Sequence, residues 1–116
     1  MVKQRMVRFE RKRYLLIHVA KENGKIEGQK VREAIFNTYI RLFGLKGLGE
    51  AKLSWISFDG ERNLGILRCS HRALPRVRAA IALTSTIEGL KARICTVRVS
   101  GTIKSIKDFV KEEFKA

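Results

Sequence analysis

The sequence predicts an α+β fold, a sheet layered with helices. Its expected order is strand, helix, strand, strand, helix, strand, with one helix added at the end. Three observations predict it. Tyr14–Ala20, YLLIHVA, is apolar or aromatic at six of seven positions, as a strand covered on both faces is. Asp59-Gly60-Glu61-Arg62-Asn63 carries hairpin chemistry between two short apolar runs. Two longer stretches, 28–43 and 72–86, repeat apolar residues at helical spacing.

Residues 1–13 carry Lys3, Arg5, Arg8, Arg11, Lys12 and Arg13 against Glu10 alone, with no apolar period. They are expected to form a basic arm that touches phosphate, ordering on RNA. A single domain is expected over 14–116. In its first strand, Leu15, Ile17 and Val19 share one face; Tyr14, Leu16, His18 and Ala20 share the other. A buried helix is excluded by the shortness of the run and by the turn that follows at Asn23-Gly24.

In the helix expected over 28–43, Val31, Ile35, Tyr39 and Leu42 form one apolar stripe. Phe36, Ile40 and Phe43 form a second, beside it. One sheet buries one stripe. The second needs the neighbouring helix or another protein, so Phe36, Ile40 and Phe43 are a candidate protein interface. Gly44, Gly47 and Gly49 mark a flexible connector. A phosphate loop is rejected there, because the glycines follow a helix and lack the GKS/T ending.

Residues 52–58 and 64–70 read as the hairpin strands. The helix over 72–86 is expected to be capped by Ser70 or His71, with Pro75 in its first turns. Leu74, Val77 and Ile81 form its core stripe, Ala80 and Ala82 permit close approach, and Arg72, Arg76 and Arg78 decorate the rest. Residues 91–99 alternate as a fourth strand, with Ala92, Ile94, Thr96 and Arg98 on one face. Thr102 is expected to cap a last helix with Ile103, Ile106, Phe109, Val110 and Phe114 inward. Lys104, Lys107, Lys111 and Lys115 gather on its flank. Right-handed crossovers turn this order into the ferredoxin-like βαββαβ sandwich shared by RNA-recognition domains. Two helices would cover one sheet face, leaving the other for the last helix or a partner.

Charge narrows the function. Twenty-five Lys and Arg against eleven Asp and Glu give a net +14. Folding gains nothing from such an excess, which repels itself, and a polyanion, above all nucleic acid, explains it. No run reaches the length of a membrane span, and Glu10 and Lys12 break any signal-peptide pattern. Cys69 and Cys95 fall on strands that the first strand separates by roughly 10 Å, too far for a disulfide. Two buried thiols in a reducing, cytoplasmic compartment are expected. Neither His18 nor His71 has a partner at metal-ligand spacing, and no catalytic set appears. An RNA-recognition domain stacks bases on its first and third strands. Here the first offers Tyr14 alone and the third, NLGILRCS, offers no aromatic. Basic groups at the arm, the edges and the helix ends are therefore expected to hold RNA: Lys3, Arg5, Arg8, Arg11, Lys12, Arg13, Arg72, Arg76, Lys104, Lys107 and Lys111.

The runs KRYLLIHV, FDGERNLGILRCSHRALPRVRAAIALT and VRVSGTIKSIK resemble the archaeal-type ribonuclease P protein component 2 family, which includes the eukaryotic counterpart. The resemblance covers roughly 10–107, most specifically Gly65–Thr84 and SGTIKS. It implies a non-catalytic RNA-binding subunit. The RNA subunit would remove the 5′ leader from precursor tRNA, which the protein meets indirectly. Component 3, a barrel-shaped protein, is the implied protein partner, with a homodimer or heterotetramer possible. Magnesium would belong to the RNA, and no cofactor to the chain. Arg68 and Arg98, nearest the sheet's open side, become candidate RNA contacts. A ribosomal or other ribonucleoprotein subunit explains charge and size equally well. A small regulatory domain explains the fold without the charge, and an autonomous nuclease needs clustered carboxylates.

Overall fold

The structure, a computed structural model, describes residues 10–114. Lys3, Arg5, Arg8 and Lys115 lie outside them. The chain forms β1 (Lys12–Lys21), α1 (Gly28–Ala51), β2 (Ser54–Asp59), β3 (Leu64–Ser70), a 3-10 turn (His71–Ala73), α2 (Leu74–Leu83), β4 (Thr86–Ile87), β5 (Leu90–Ser100) and α3 (Ile103–Glu113). The five strands make one antiparallel sheet in the order β2-β3-β1-β5-β4.

The apolar YLLIHVA run occupies the centre, hydrogen-bonded on both edges. Leu15 stands opposite Leu67 of β3 and Val99 of β5. On one face Leu15, Ile17 and Val19 meet Val31, Ile35 and Tyr39 of α1 and Val77 and Ile81 of α2. On the other, Leu16 meets Leu64, Ile66 and Ile106 of α3. The last helix therefore takes the outer face, where Thr102 caps it by accepting a bond from Ser105 N at 3.2 Å. His18 and Ala20 remain exposed on that face.

Several expectations need correction. Lys12 and Arg13, read as the end of an arm, begin β1. The glycine connector is helical: α1 runs on to Ala51 across a kink at Gly44 (φ 82°, ψ 165°), a conformation open to glycine. Leu42 is 41% exposed, and Thr38 takes the inward position instead. The second predicted helix stops at Leu83. There the Thr84 hydroxyl lies 2.7 Å from Ala80 O and 3.0 Å from Thr38 Oγ1, tying α2 to α1. The hairpin β4–β5 follows, turning through Glu88 and Gly89, both at positive φ, as type I′ turns do. Ser70 makes no side-chain cap. A bulge breaks the alternation of β5: Leu16 pairs with Arg98 but Ile17 with Thr96, so Val97 is the extra residue. Ala92, Ile94 and Val99 therefore share the helix-side core.

Ile106 is fully buried and anchors α3. Ile106→Ala should lower the unfolding free energy by about 2–4 kcal/mol in urea titrations. An unchanged midpoint would show that α3 lies outside the cooperative unit.

Candidate nucleic-acid interface

The basic residues fall into separate groups. Arg11 is exposed just before β1, and its carbonyl accepts a bond from His71 N at 2.7 Å. Glu10 sits beside Lys52, at 2.8 Å, and feels Lys12 and Arg72 as well. The Lys52 hydrogen bond is the main reason its carboxyl is held below the usual range. Lys12, Arg72 and Arg11 thus meet at one end of the sheet, while Arg76 lies a turn further along α2. Arg13 is half-buried, donating to Lys12 O at 3.0 Å.

The α3 lysines form a second group. Lys104 is held by Asp108 at 2.8 Å, which raises the lysine's pKa and lowers the aspartate's through the same hydrogen bond. Lys107 and Lys111 flank an apolar groove of about 240 Å³ over Leu16, Leu64, Ile66 and Val110. Arg98 stands on the other flank, its guanidinium 4.6 Å from the Phe109 ring centre. Arg98 lines a separate hollow of about 560 Å³ with Lys104, Asp108, Glu112 and Glu113, whose carboxylates make it poorly suited to phosphate. Arg68 is half-buried, with Nη2 3.5 Å from Ser54 Oγ and its Nε without a partner among the described residues. Tyr14 packs into the α3 cluster, so no ring lies open for a base there.

Phe36 and Phe43 are half-buried against the main core; Arg32 lies over Phe36 at 4.6 Å, and Tyr39 packs on Phe43 at 4.9 Å. Ile40 is half-buried too but belongs to neither core cluster. The two rings therefore pack on the fold's own core, and Ile40 alone of the stripe stands apart from it.

Cys69 is buried; Cys95 is exposed, correcting the expectation of two buried thiols. The outward turn has a simple cause: Cys95 pairs with His18 on the stretch of outer face that α3 does not reach. Among the described residues, no group of three His, Cys, Asp or Glu is placed to hold a metal ion. Also among them, no helix is long and apolar enough to cross a membrane. Asp59 is a turn residue: Glu61 N and Arg62 N donate to its Oδ1 at 2.9 and 3.3 Å, and those bonds lower its pKa.

Two arginines were not singled out from the sequence as contacts. Arg78 of α2 and Arg93 of β5 line a groove of about 390 Å³ with Ser85, Cys95 and Thr96, and no carboxylate lines it. The available signal was composition: from Arg62 to Lys107 the sequence has one acidic residue, Glu88.

Comparison with known proteins follows the same outline. The family model described as the Rpp14/Pop5 family matches residues 13–111. Ribonuclease P protein component 2 of Pyrococcus furiosus is 38% identical over 98 residues, 84% of this chain and 81% of that protein. Its namesake in Archaeoglobus fulgidus is 36% identical over 97 residues, 84% of this chain and 85% of that protein. A chain in a cryo-EM structure of yeast ribonuclease MRP matches with TM-score 0.65 over 94% of this chain and 95% of that one. At 14% identity that likeness speaks for the fold.

The cysteines supply a test of the burial pattern. Iodoacetamide at pH 8 should alkylate Cys95 in the folded protein and spare Cys69 until urea is added, as mass spectrometry of peptides would reveal. Burial pushes the Cys69 thiol up to about 11 from 9.0. The unfolded thiol ionises first, so stability held below about pH 9 should fall as pH rises towards 11. Cys69→Ala should remove that part of the alkaline slope. Equal labelling of both thiols in the native state would contradict the burial.

Proposed function

The chain belongs to the Rpp14/Pop5 family, and from that premise we propose that it is the non-catalytic, RNA-binding protein subunit of ribonuclease P. The RNA subunit would cut the 5′ leader from precursor tRNA, and this chain would support the RNA that does so. One observation carries the reading: identity to ribonuclease P protein component 2 extends over 84% of the chain at 38%. That observation also favours it over a ribosomal subunit, which charge and size alone allow.

The residues suit the role. A net charge of +14 favours RNA through release of condensed counterions, an effect that weakens steeply with salt. Magnesium in such an enzyme would sit with the RNA, whose phosphates supply the hard oxygen ligands that it needs. The proposed partners are the ribonuclease P RNA and protein component 3, in a cytoplasmic complex. We also assign the ferredoxin-like topology. The order β2-β3-β1-β5 of the long strands, with α1 and α2 packed on one face, supports it.

Purified chain, incubated with precursor tRNA and magnesium but without the RNA subunit, should leave the 5′ leader intact. Correct 5′ maturation that follows the protein through successive columns would overturn the non-catalytic reading. In the same role, Ile40→Asp should leave the circular dichroism spectrum unchanged and weaken assembly with component 3 on size-exclusion chromatography. The expected loss is about 2 kcal/mol or more, the scale of a desolvated anchor. Normal assembly by the folded variant would move the protein interface elsewhere, and an unfolded variant would show Ile40 to be core.

A further inference from the structure

The groove between α2 and β5 has four properties that belong together. It is open, it is basic, no carboxylate lines it, and it runs along a free strand edge. Ala92 N donates to Ser85 O and β4 pairs with Leu90–Lys91, but beyond Ala92 no described residue pairs with that edge of β5. The edge's outward N–H groups are donors without a ladder partner. Arg78 of α2 lines it from the helix side, while Arg93 and Cys95, which alternate with the inward Ala92 and Ile94, line it from around the strand edge; both arginines are exposed, and Ser85 and Thr96 line it too. Its floor is apolar, with Ile81 and Ile94 beneath.

We propose that this groove is a track for the sugar–phosphate backbone of RNA, with Arg78 and Arg93 as its phosphate contacts. The inference rests on the reading of the chain as an RNA-binding subunit and says which surface does the binding. Phosphate needs positive charge undiluted by carboxylates, and the groove meets that need where its rivals do not. The Arg98 hollow includes Glu112 and Glu113, and Asp59 lines the Lys107–Lys111 groove. Glu88, the one acid in the long basic stretch, is engaged by Lys21 at 3.7 Å. A free edge also invites an added protein strand. The bulge at Val97 argues against that occupant, because it disrupts the ladder that a partner strand would extend, and Arg93 adds charge beside the edge. Phosphate contacts tolerate such irregularity, since they need donors and charge rather than strand register.

Cys95 lines the groove and is exposed, while Cys69 is buried, so the native chain carries its own probe and its own control. Full-length protein is mixed with the ribonuclease P RNA of its own organism. RNA binding is followed by filter retention across a salt series, and iodoacetamide labelling of Cys95 is timed in the same samples. We expect RNA alone to slow Cys95 labelling about fivefold or more, since the groove would be covered. The Arg78→Ala/Arg93→Ala double variant should bind about tenfold more weakly at 0.1 M salt, with a salt slope shallower by roughly one to two. Both residues are exposed, and an unchanged circular dichroism spectrum checks that the variant is folded. Full RNA affinity in the folded double variant, or binding that leaves Cys95 labelling unchanged, overturns the groove and leaves the functional reading standing. Protection that arrives only with component 3 overturns it in favour of a protein strand. Failure to bind the RNA at all overturns the functional reading and the groove with it.

Discussion

Everything in this chain is arranged around the complete burial of four residues among five where β1 crosses the middle of the sheet. Leu15, Leu16, Ile17 and Val19 are fully buried, and they point alternately to opposite faces. Each contributes roughly 1.5–3 kcal/mol when taken wholly out of water. That gain requires cover above and below. α1 and α2 supply it on one side, and α3 on the other. β1 is also bonded to β3 and β5, so its peptide groups are satisfied without solvent. Three layers follow from one strand, and the helix added after β5 is part of the core.

The charge is then distributed by what the core leaves over. Most of the paired carboxylates are spent locally: Glu10 on Lys52, Asp108 on Lys104, and Asp59 on Arg62 and its own turn. These exposed pairs contribute little to stability, because water screens them. What they do is neutralise selected patches. The stretch that builds β3, α2 and β5 is treated differently, with Glu88 as its one acid. A fold that needed only solubility would intersperse the signs. Concentrating one sign on α2 and the adjoining strand edge costs self-repulsion, and a bound polyanion relieves it.

The central strand, the hairpin at Asp59, the cap at Thr102 and the inward stripe of α3 were legible because each depends on a local pattern. The misreadings share a different cause. Gly44 was read as the end of a helix, yet glycine permits a kink after which the chain resumes its helix, and the buried Ala51 holds that second part in place. The end of α2 was placed too late because Thr84 looks like another helical residue. Its hydroxyl in fact closes the helix against Thr38, a contact spanning 46 residues of sequence. The β5 alternation misplaced Ala92 and Ile94 relative to Val99 because a one-residue bulge swaps the faces on either side of it. Cys95 was misjudged for a related reason, since its exposure depends on how far α3 reaches. The candidate site was legible as a charge and not as a place. Arg78 and Arg93 line one groove only because α2 packs beside β5.

The same geometry says how RNA recognition would work in the proposed role. A domain that reads single-stranded bases needs an open sheet with aromatic rings on it. Here α3 has claimed that face, and it draws Tyr14 and Phe109 into its own cluster. Arg98 is stacked on Phe109, so its guanidinium is already held in place. What remains exposed is side-chain charge at helix flanks, strand edges and the end of the sheet. Such groups recognise phosphate spacing and backbone shape, and carry little information about base identity. Specificity would then come from the folded outline of the RNA and from meeting several basic patches at once. Each patch would bind weakly alone, and together they would select an RNA whose backbone passes all of them. A subunit of this kind has no need of a catalytic constellation. Its contribution is to neutralise and hold an RNA surface while the chemistry takes place in the RNA.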